Sequence, residues 1–167
     1  MAADLADHLG LLIAAAGVRT GFLHSEWKVS DEGYWLIECA ARLPGDGIHS
    51  LISLVYDINV TQEFLEMLAD GKQPTPWVPR GGAAVRFLQA PPGLLVAVSG
   101  KTHVQEMADV VECHVDLQPG DSVPVADSSY ARVGHVVATG SNADVAEAMA
   151  ERAASEIVFS LVESPLG

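Results

Sequence analysis

Two β-prone stretches joined by a short acidic turn constrain the fold of this chain most. Val18–Val29 and Tyr34–Ala41 are rich in β-branched and aromatic residues, and Ser30-Asp31-Glu32-Gly33 separates them. Apolar runs flanking a turn that ends in glycine predict an antiparallel hairpin. We take Asp31, Glu32 and Gly33 as a three-residue loop with a glycine bulge.

The register of this hairpin brings two glutamates together. With a three-residue loop, Ser30 pairs with Tyr34, and continuing the ladder places Glu26 opposite Glu38. Side chains alternate between the two faces of a strand, so His24 and Arg42 share the face of the glutamates. The opposite face is expected to enter a core through three residues: Trp27, Ile37 and Cys39.

Helical and extended patterns alternate along the rest of the chain. Helices are predicted over 4–16, 48–58, 61–70 and 141–161, with Gly17 and Gly71 as C-caps and Thr61 and Ser141 beginning the last two. Strands are predicted over 83–90, 94–99, 110–117 and 132–139, and the prolines of 72–79 predict a loop. The predicted class is α+β, an antiparallel sheet with flanking helices, organised as residues 1–79 and a β-rich section, 80–167.

Composition and charge narrow the functional classes. The 167 residues carry 9 basic and 22 acidic side chains, a net charge of −13 that disfavours nucleic acid and anionic membrane surfaces. The longest apolar run, Leu9–Val18, is half the roughly 20 residues that a membrane span requires. Acidic residues precede that run where a secretory signal has basic ones, so we expect a cytoplasmic protein. Two cysteines, Cys39 and Cys113, fit buried thiols in a reducing compartment.

The predicted glutamate pair suggests a cation site. Carboxylates directly opposite each other repel unless a cation, a proton or an arginine intervenes, and oxygen ligands favour magnesium or manganese. A solvated face, with Glu26 paired to Lys28 or Arg42, is the alternative that spacing alone favours. Pro44–Gly47 precedes a helix whose free N–H groups could receive an anion, although a structural turn also explains it.

Two motifs at this hairpin resemble a known family. Gly21–Glu26 (GFLHSE) and Trp35–Ile48 (WLIECAARLPGDGI) are similar to the second half of an ATP-grasp fold, particularly that of the amino-acid ligases. The similarity continues through Gly93–Gly100, Pro119–Asp121 and Arg132–Gly140. It implies the carboxyl-terminal lobe of an ATP-grasp carboxylate–amine ligase.

The resemblance assigns roles to individual residues. It implies that Glu26 and Glu38 hold Mg²⁺ against the phosphates of ATP, and that Arg42 steadies the substrate carboxylate or acyl phosphate. Many members have a further metal ligand, Asn, where this chain has Ala40. The similarity begins near the midpoint of the family, so the amino-terminal domain and the nucleotide-binding lobe are not matched, and only three lysines occur.

Three functional hypotheses follow, and we expect an enzyme. The chain is half of a ligase that joins a small carboxylic acid to an amine through an acyl phosphate, using ATP and Mg²⁺ with a complementing lobe. Alternatively it is a remnant that acts without ATP as an acid–base enzyme or binder of a small carboxylate, or a non-catalytic partner of a complete ligase. The residues expected to be catalytic are Arg42, His24 and Glu38. Arg42 is also expected to bind the substrate, together with Gly45, Gly47 and His49.

An expected apolar surface and three further histidines remain to be interpreted. The surface around Phe22, Leu43 and the first helix is expected to lack its family cover, which predicts a homodimer or a separate amino-terminal ligase subunit. His103, His114 and His135 fall in different elements without metal-ligand spacing, so we expect them on the surface or in structural roles.

Overall fold

A computed structural model describes residues 2–71, 75–123, 125 and 131–162. Within these residues five helices and eight strands occur. In chain order they are α1 (Ala2–Ala16), β1 (His24–Ser30), β2 (Gly33–Ala40), α2 (Ile48–Tyr56), α3 (Val60–Asp70), β3 (Gly82–Leu88), β4 (Gly93–Ser99), α4 (Lys101–Gln105), β5 (Val110–Val115), β6 (Ser122–Val123), β7 (Gly134–Gly140), α5 (Ala143–Ser155) and β8 (Val158–Val162).

The chain divides into two compact units. The first unit comprises residues 1–50 and 59–77, and the second comprises 51–58 and 78–167. The predicted class is confirmed, since helices flank antiparallel sheets throughout. No helix among the described residues is long and apolar enough to cross a membrane.

The first unit is built around the β1–β2 hairpin, its only sheet among the described residues. Polar contacts join the hairpin to α1: the Tyr34 hydroxyl donates to Asp4 Oδ2 at 3.3 Å, and the Tyr34 ring lies 4.8 Å from that of His8. Partial burial, and after it the neighbouring Asp4 carboxylate, raise the pKa of the Tyr34 phenol. Phe22, expected to lack cover, is half-buried and packs edge-on against Phe64 at 5.2 Å.

The hairpin loop differs from the prediction, although the glutamate pair does not. Ser30 pairs with Gly33, so the loop has two residues, Asp31 and Glu32. A β-bulge then shifts the register between Glu26 and Trp27 and leaves one extra residue, Ile37, on β2.

The bulge restores the predicted pairing further along the ladder. Beyond it, Glu26 pairs with Glu38, as the sequence predicted. The predicted core face is only partly correct, because Trp27 and Cys39 are half-buried while the bulged Ile37 is 64% exposed. A bulged residue has no cross-strand neighbour to pack against, which accounts for the exposure of Ile37.

The second unit contains two three-stranded antiparallel sheets where a single sheet was predicted. Their strand orders are β3–β7–β5 and β6–β4–β8. β3 and β4 follow each other across the Pro91-Pro92-Gly93 turn but belong to different sheets. Between the sheets and α5 lies a core that includes Leu88, Val104 and Val136. Most of the fully buried apolar side chains among the described residues lie in this unit.

The predicted last helix is too long. α5 ends at Ser155, and residues 158–161, predicted as helix, lie in strand β8 (Val158–Val162), which pairs with β4. The N-caps also lie one or two residues away from their predicted positions: Asn142 accepts from Val145 N before α5, and Asn59 accepts from Gln62 N before α3. Gly71 ends α3 with left-handed geometry, as predicted.

Candidate functional site

The centre of the candidate site is a pair of glutamates on adjacent strands. Glu26 on β1 and Glu38 on β2 are direct cross-strand partners, and each side chain is 54% exposed. Residues opposite each other in an antiparallel pair have Cβ atoms about 4.5–5.5 Å apart, so the carboxylates can reach one ligand. Their exposure leaves that ligand accessible from solvent.

His24 lies beside the first glutamate. Its Nε2 is 3.3 Å from Glu26 Oε1, and its side chain is 17% exposed. Two residues apart on one strand, the pair shares a face, as the alternation predicted. His24 also lies directly opposite Ala40. The Glu26 carboxylate orients the imidazole.

Arg42 lies beside the second glutamate. Its Nη2 is 3.6 Å from Glu38 Oε1, and its Nη1 donates to the Leu43 carbonyl at 3.1 Å. The ion pair is half exposed and longer than a charge-assisted hydrogen bond, so it contributes little to stability. The guanidinium retains further N–H donors that can bind an anion. His24, Glu26, Glu38 and Arg42 thus form a continuous line, hereafter the hairpin cluster.

The predicted anion-binding turn follows Arg42. Asp46 and Gly47 have left-handed backbone conformations, with φ of 53° and 73°. The Gly45 carbonyl accepts from Ile48 N at 3.0 Å, and an added Cβ at Gly45 or Gly47 would meet nothing within 4 Å. His49 Nδ1 lies 3.3 Å from the Pro44 carbonyl, so the ring closes the turn. These contacts hold the turn in place, and the space beside the Cα atoms of Gly45 and Gly47 is open.

The hairpin cluster offers two carboxylates to a metal ion. No group of three or more His, Cys, Asp or Glu side chains among the described residues is arranged to hold a metal ion. Mg²⁺ in nucleotide-dependent enzymes is usually bound by one or two carboxylates, with water and substrate phosphates completing the octahedron. The pair Glu26 and Glu38 matches that donor set.

One cluster was missed by the sequence reasoning. His114 on β5 and His135 on β7, which carried no metal-ligand spacing, are direct cross-strand partners. Only the register of β5 against β7 brings them together. The 18 residues that join these strands gave no register signal, unlike the short loop of the hairpin.

Comparison with known proteins identifies the fold class. Residues 86–162 match the sequence model of the family described as L-amino acid ligase C-terminal domain 2. Comparison with curated proteins by sequence finds no match. The fold is similar to that of ATP-grasp ligases and the matched family model is a carboxyl-terminal domain, so the resemblance to the carboxyl-terminal part of such a ligase is confirmed at the level of the fold.

Three solved structures show the extent of the similarity. An L-amino acid ligase from Bacillus licheniformis matches with a TM-score of 0.79 and 16% identity, covering 96% of this chain and 41% of that chain. Phosphoribosylglycinamide synthetase from Anaerococcus prevotii gives 0.73 and 16%, covering 90% and 39%. A biotin carboxylase–beta-gamma-ATP complex from Campylobacter jejuni gives 0.60 and 19%, covering 90% and 34%. This chain therefore spans about two fifths or less of the length of these structures.

Proposed function

We propose that this chain provides the carboxyl-terminal half of an ATP-grasp ligase that joins a small carboxylic acid to an amine through an acyl phosphate. The observation that carries the proposal is the hairpin cluster. A purely structural hairpin gains nothing from two carboxylates placed opposite each other, because like charges at this spacing repel.

Glu26 and Glu38 would hold Mg²⁺ from two strands of a hairpin. Their oxygen donors and their accessibility fit the ion. When bound, the ion would neutralise charge on the phosphates of ATP. Without a cation, Arg42 offsets the charge of Glu38 at 3.6 Å, while Glu26 lies opposite Glu38 and contacts His24.

Arg42 would bind the carboxylic acid. Its planar guanidinium presents paired N–H donors that match a carboxylate or an acyl phosphate in a bidentate arrangement. Glu38 on one side and the carbonyl of Leu43 on the other fix its orientation. The turn that contains Gly45 and Gly47 follows Arg42 in sequence, and His49 contacts the Pro44 carbonyl at its start. This turn would receive another part of the anionic substrate.

His24 would move protons. Glu26 orients its ring, and the neutral imidazole can accept a proton from an attacking amine. Three of the four side chains in the hairpin cluster are about half exposed, and acyl phosphates require exclusion of water. A complementing nucleotide-binding lobe, in another segment or another chain, would cover the site.

Calorimetry of ATP binding tests the proposal. We expect the chain to bind ATP in the presence of Mg²⁺, and the binding to be lost in the Glu26→Gln, Glu38→Gln double variant. Glu32→Gln is a matched control because it removes one charge from the hairpin loop without touching the pair. Mg²⁺-dependent ATP binding that persists in the double variant contradicts the ligase half.

A second candidate function rests on the pairing of His24 with Glu26. This carboxylate-oriented imidazole requires no nucleotide, so the chain would act as an ATP-independent acid–base enzyme or as a binder of a small carboxylate. Binding of amino acids that survives in chelator without ATP and is lost in Arg42→Ala favours this reading. If the triple Glu26→Gln, Glu38→Gln, Arg42→Ala variant keeps full activity, neither catalytic reading holds, and a non-catalytic partner of a ligase remains.

A further inference from the structure

A pair of histidines faces each other on the β3–β7–β5 sheet of the second unit. His114 on β5 lies directly opposite His135 on β7, with ring centroids 5.7 Å apart and ring planes inclined by 35°. Both side chains are accessible, at 52% and 30% exposure. The buried residues Cys113 and Val136 alternate with them, so the imidazoles occupy the face opposite to the core.

Each imidazole has its own carboxylate. His114 Nε2 lies 3.0 Å from Asp116 Oδ1, and His135 Nε2 lies 3.3 Å from Glu112 Oε1. An ionised carboxylate only accepts hydrogen bonds, so Nε2 of His114, which is hydrogen-bonded to Asp116, carries the proton, and the ion pair of His135 Nε2 with Glu112 favours the same tautomer. In the neutral ring this leaves the lone pair on Nδ1. Metal-binding histidines usually donate their other N–H to a carboxylate in this way.

The distance between the rings suits a shared ion. Zinc binds imidazole nitrogen at about 2.0–2.1 Å, which places the centroids of two rings on one ion about 5–6 Å apart. Imidazole ligands favour zinc, copper and nickel over magnesium. Since the described residues hold no cluster of three ligands, water would complete the coordination.

We propose that His114 and His135 form a two-histidine binding site for a divalent transition-metal ion, zinc being the representative case. The ion is bound through Nδ1 of both rings, while Asp116 and Glu112 act as positioning residues. This site is separate from the hairpin cluster and does not depend on the proposed ligase activity. Its nitrogen donors distinguish it from the oxygen donors of Glu26 and Glu38.

Titration of the whole chain with zinc chloride tests the site. We expect one zinc ion per chain, not displaced by excess magnesium, with affinity at least tenfold weaker in His114→Ala or His135→Ala. Glu112→Gln should weaken binding about tenfold, the lower end of the usual effect of losing an orienting carboxylate. His103→Ala, which removes an exposed histidine from α4, is the control and should bind as the unmodified chain does.

Nitrogen NMR of the unmodified chain tests zinc binding by His114 and His135 even if a variant misfolds. We expect zinc to shift the Nδ1 resonances of His114 and His135 and leave their Nε2 atoms protonated. Zinc binding that is equally tight in the His114→Ala, His135→Ala double variant overturns the proposal. Resonance changes confined to other histidines also overturn it, as does the absence of saturable binding.

Discussion

Without metal, the Glu26→Gln variant should be more stable than the unmodified chain. With metal bound, it should be less stable than the unmodified chain. Glu26 lies opposite Glu38, and a directly opposed like-charged pair on a sheet costs about 0.2–1 kcal/mol. Both side chains are 54% exposed, so solvent screening places the expected gain near the middle of that range, about 0.5 kcal/mol. Glutamine keeps an oxygen that can accept from His24.

The gain should be visible in unfolding experiments with chelator present. For a chain of this length, 0.5 kcal/mol corresponds to a rise in Tm of about 1–2 °C. Urea unfolding followed by tryptophan fluorescence reports on the right region, because Trp27 and Trp35 lie on β1 and β2. The measurement belongs at pH 8, where an ordinary imidazole is uncharged.

Magnesium should reverse the order of stability. At ten times its dissociation constant, an ion that binds only the folded state adds about 1.4 kcal/mol to the unmodified chain. Glu26→Gln should lose most of this stabilisation, and the control Glu32→Gln should keep it. If Glu26→Gln destabilises the chain in chelator, the two carboxylates do not repel each other. If magnesium stabilises the variant and the unmodified chain equally, the carboxylate pair does not bind the ion.

Three further predictions concern binding, the core and the thiols. Arg42→Lys keeps the charge but loses the bidentate fork, so binding of an amino acid, measured by NMR titration, should weaken about tenfold; unchanged affinity contradicts the role of the fork. Leu95 is 1% exposed, so Leu95→Ala should lower the free energy of unfolding by about 2–5 kcal/mol in urea melts, and a loss under 1 kcal/mol would refute its place in the core. Burial raises the pKa of the Cys113 thiol, and the nearby Lys101 partly opposes this effect. Iodoacetamide should therefore alkylate the half-buried Cys39 first, as measured by mass spectrometry of samples taken over time. Faster alkylation of Cys113 contradicts its burial.

The hairpin shows how far local sequence signals reach. A turn with glycine and two flanking apolar runs predicted both strands and the pairing of Glu26 with Glu38. The loop was wrong by one residue, and the bulge at Ile37 compensated for that error. The bulge at Ile37 contains no glycine that would mark it in the sequence, since it depends on how both strands twist and pack.

Longer-range features of the second unit were less predictable. Val158–Val162 follows α5 after only two residues and continues an apolar pattern compatible with helix, yet pairing with β4 makes it a strand. The opposition of His114 and His135 likewise depends on β5 meeting β7 across a long connection. Neither pairing is fixed by a turn, so tertiary contacts decide both.

Paramagnetic broadening by manganese tests whether the hairpin binds a metal ion through Glu26 and Glu38, because Mn²⁺ prefers the same oxygen ligands as Mg²⁺. In amide spectra of the chain recorded with Mn²⁺ and ATP, the signals of residues around Glu26 on β1 and Glu38 on β2 should lose intensity first. The Glu26→Gln, Glu38→Gln double variant should lose this local effect. Broadening spread evenly over the many acidic residues of the surface, or unchanged in the double variant, would contradict a metal site on the hairpin.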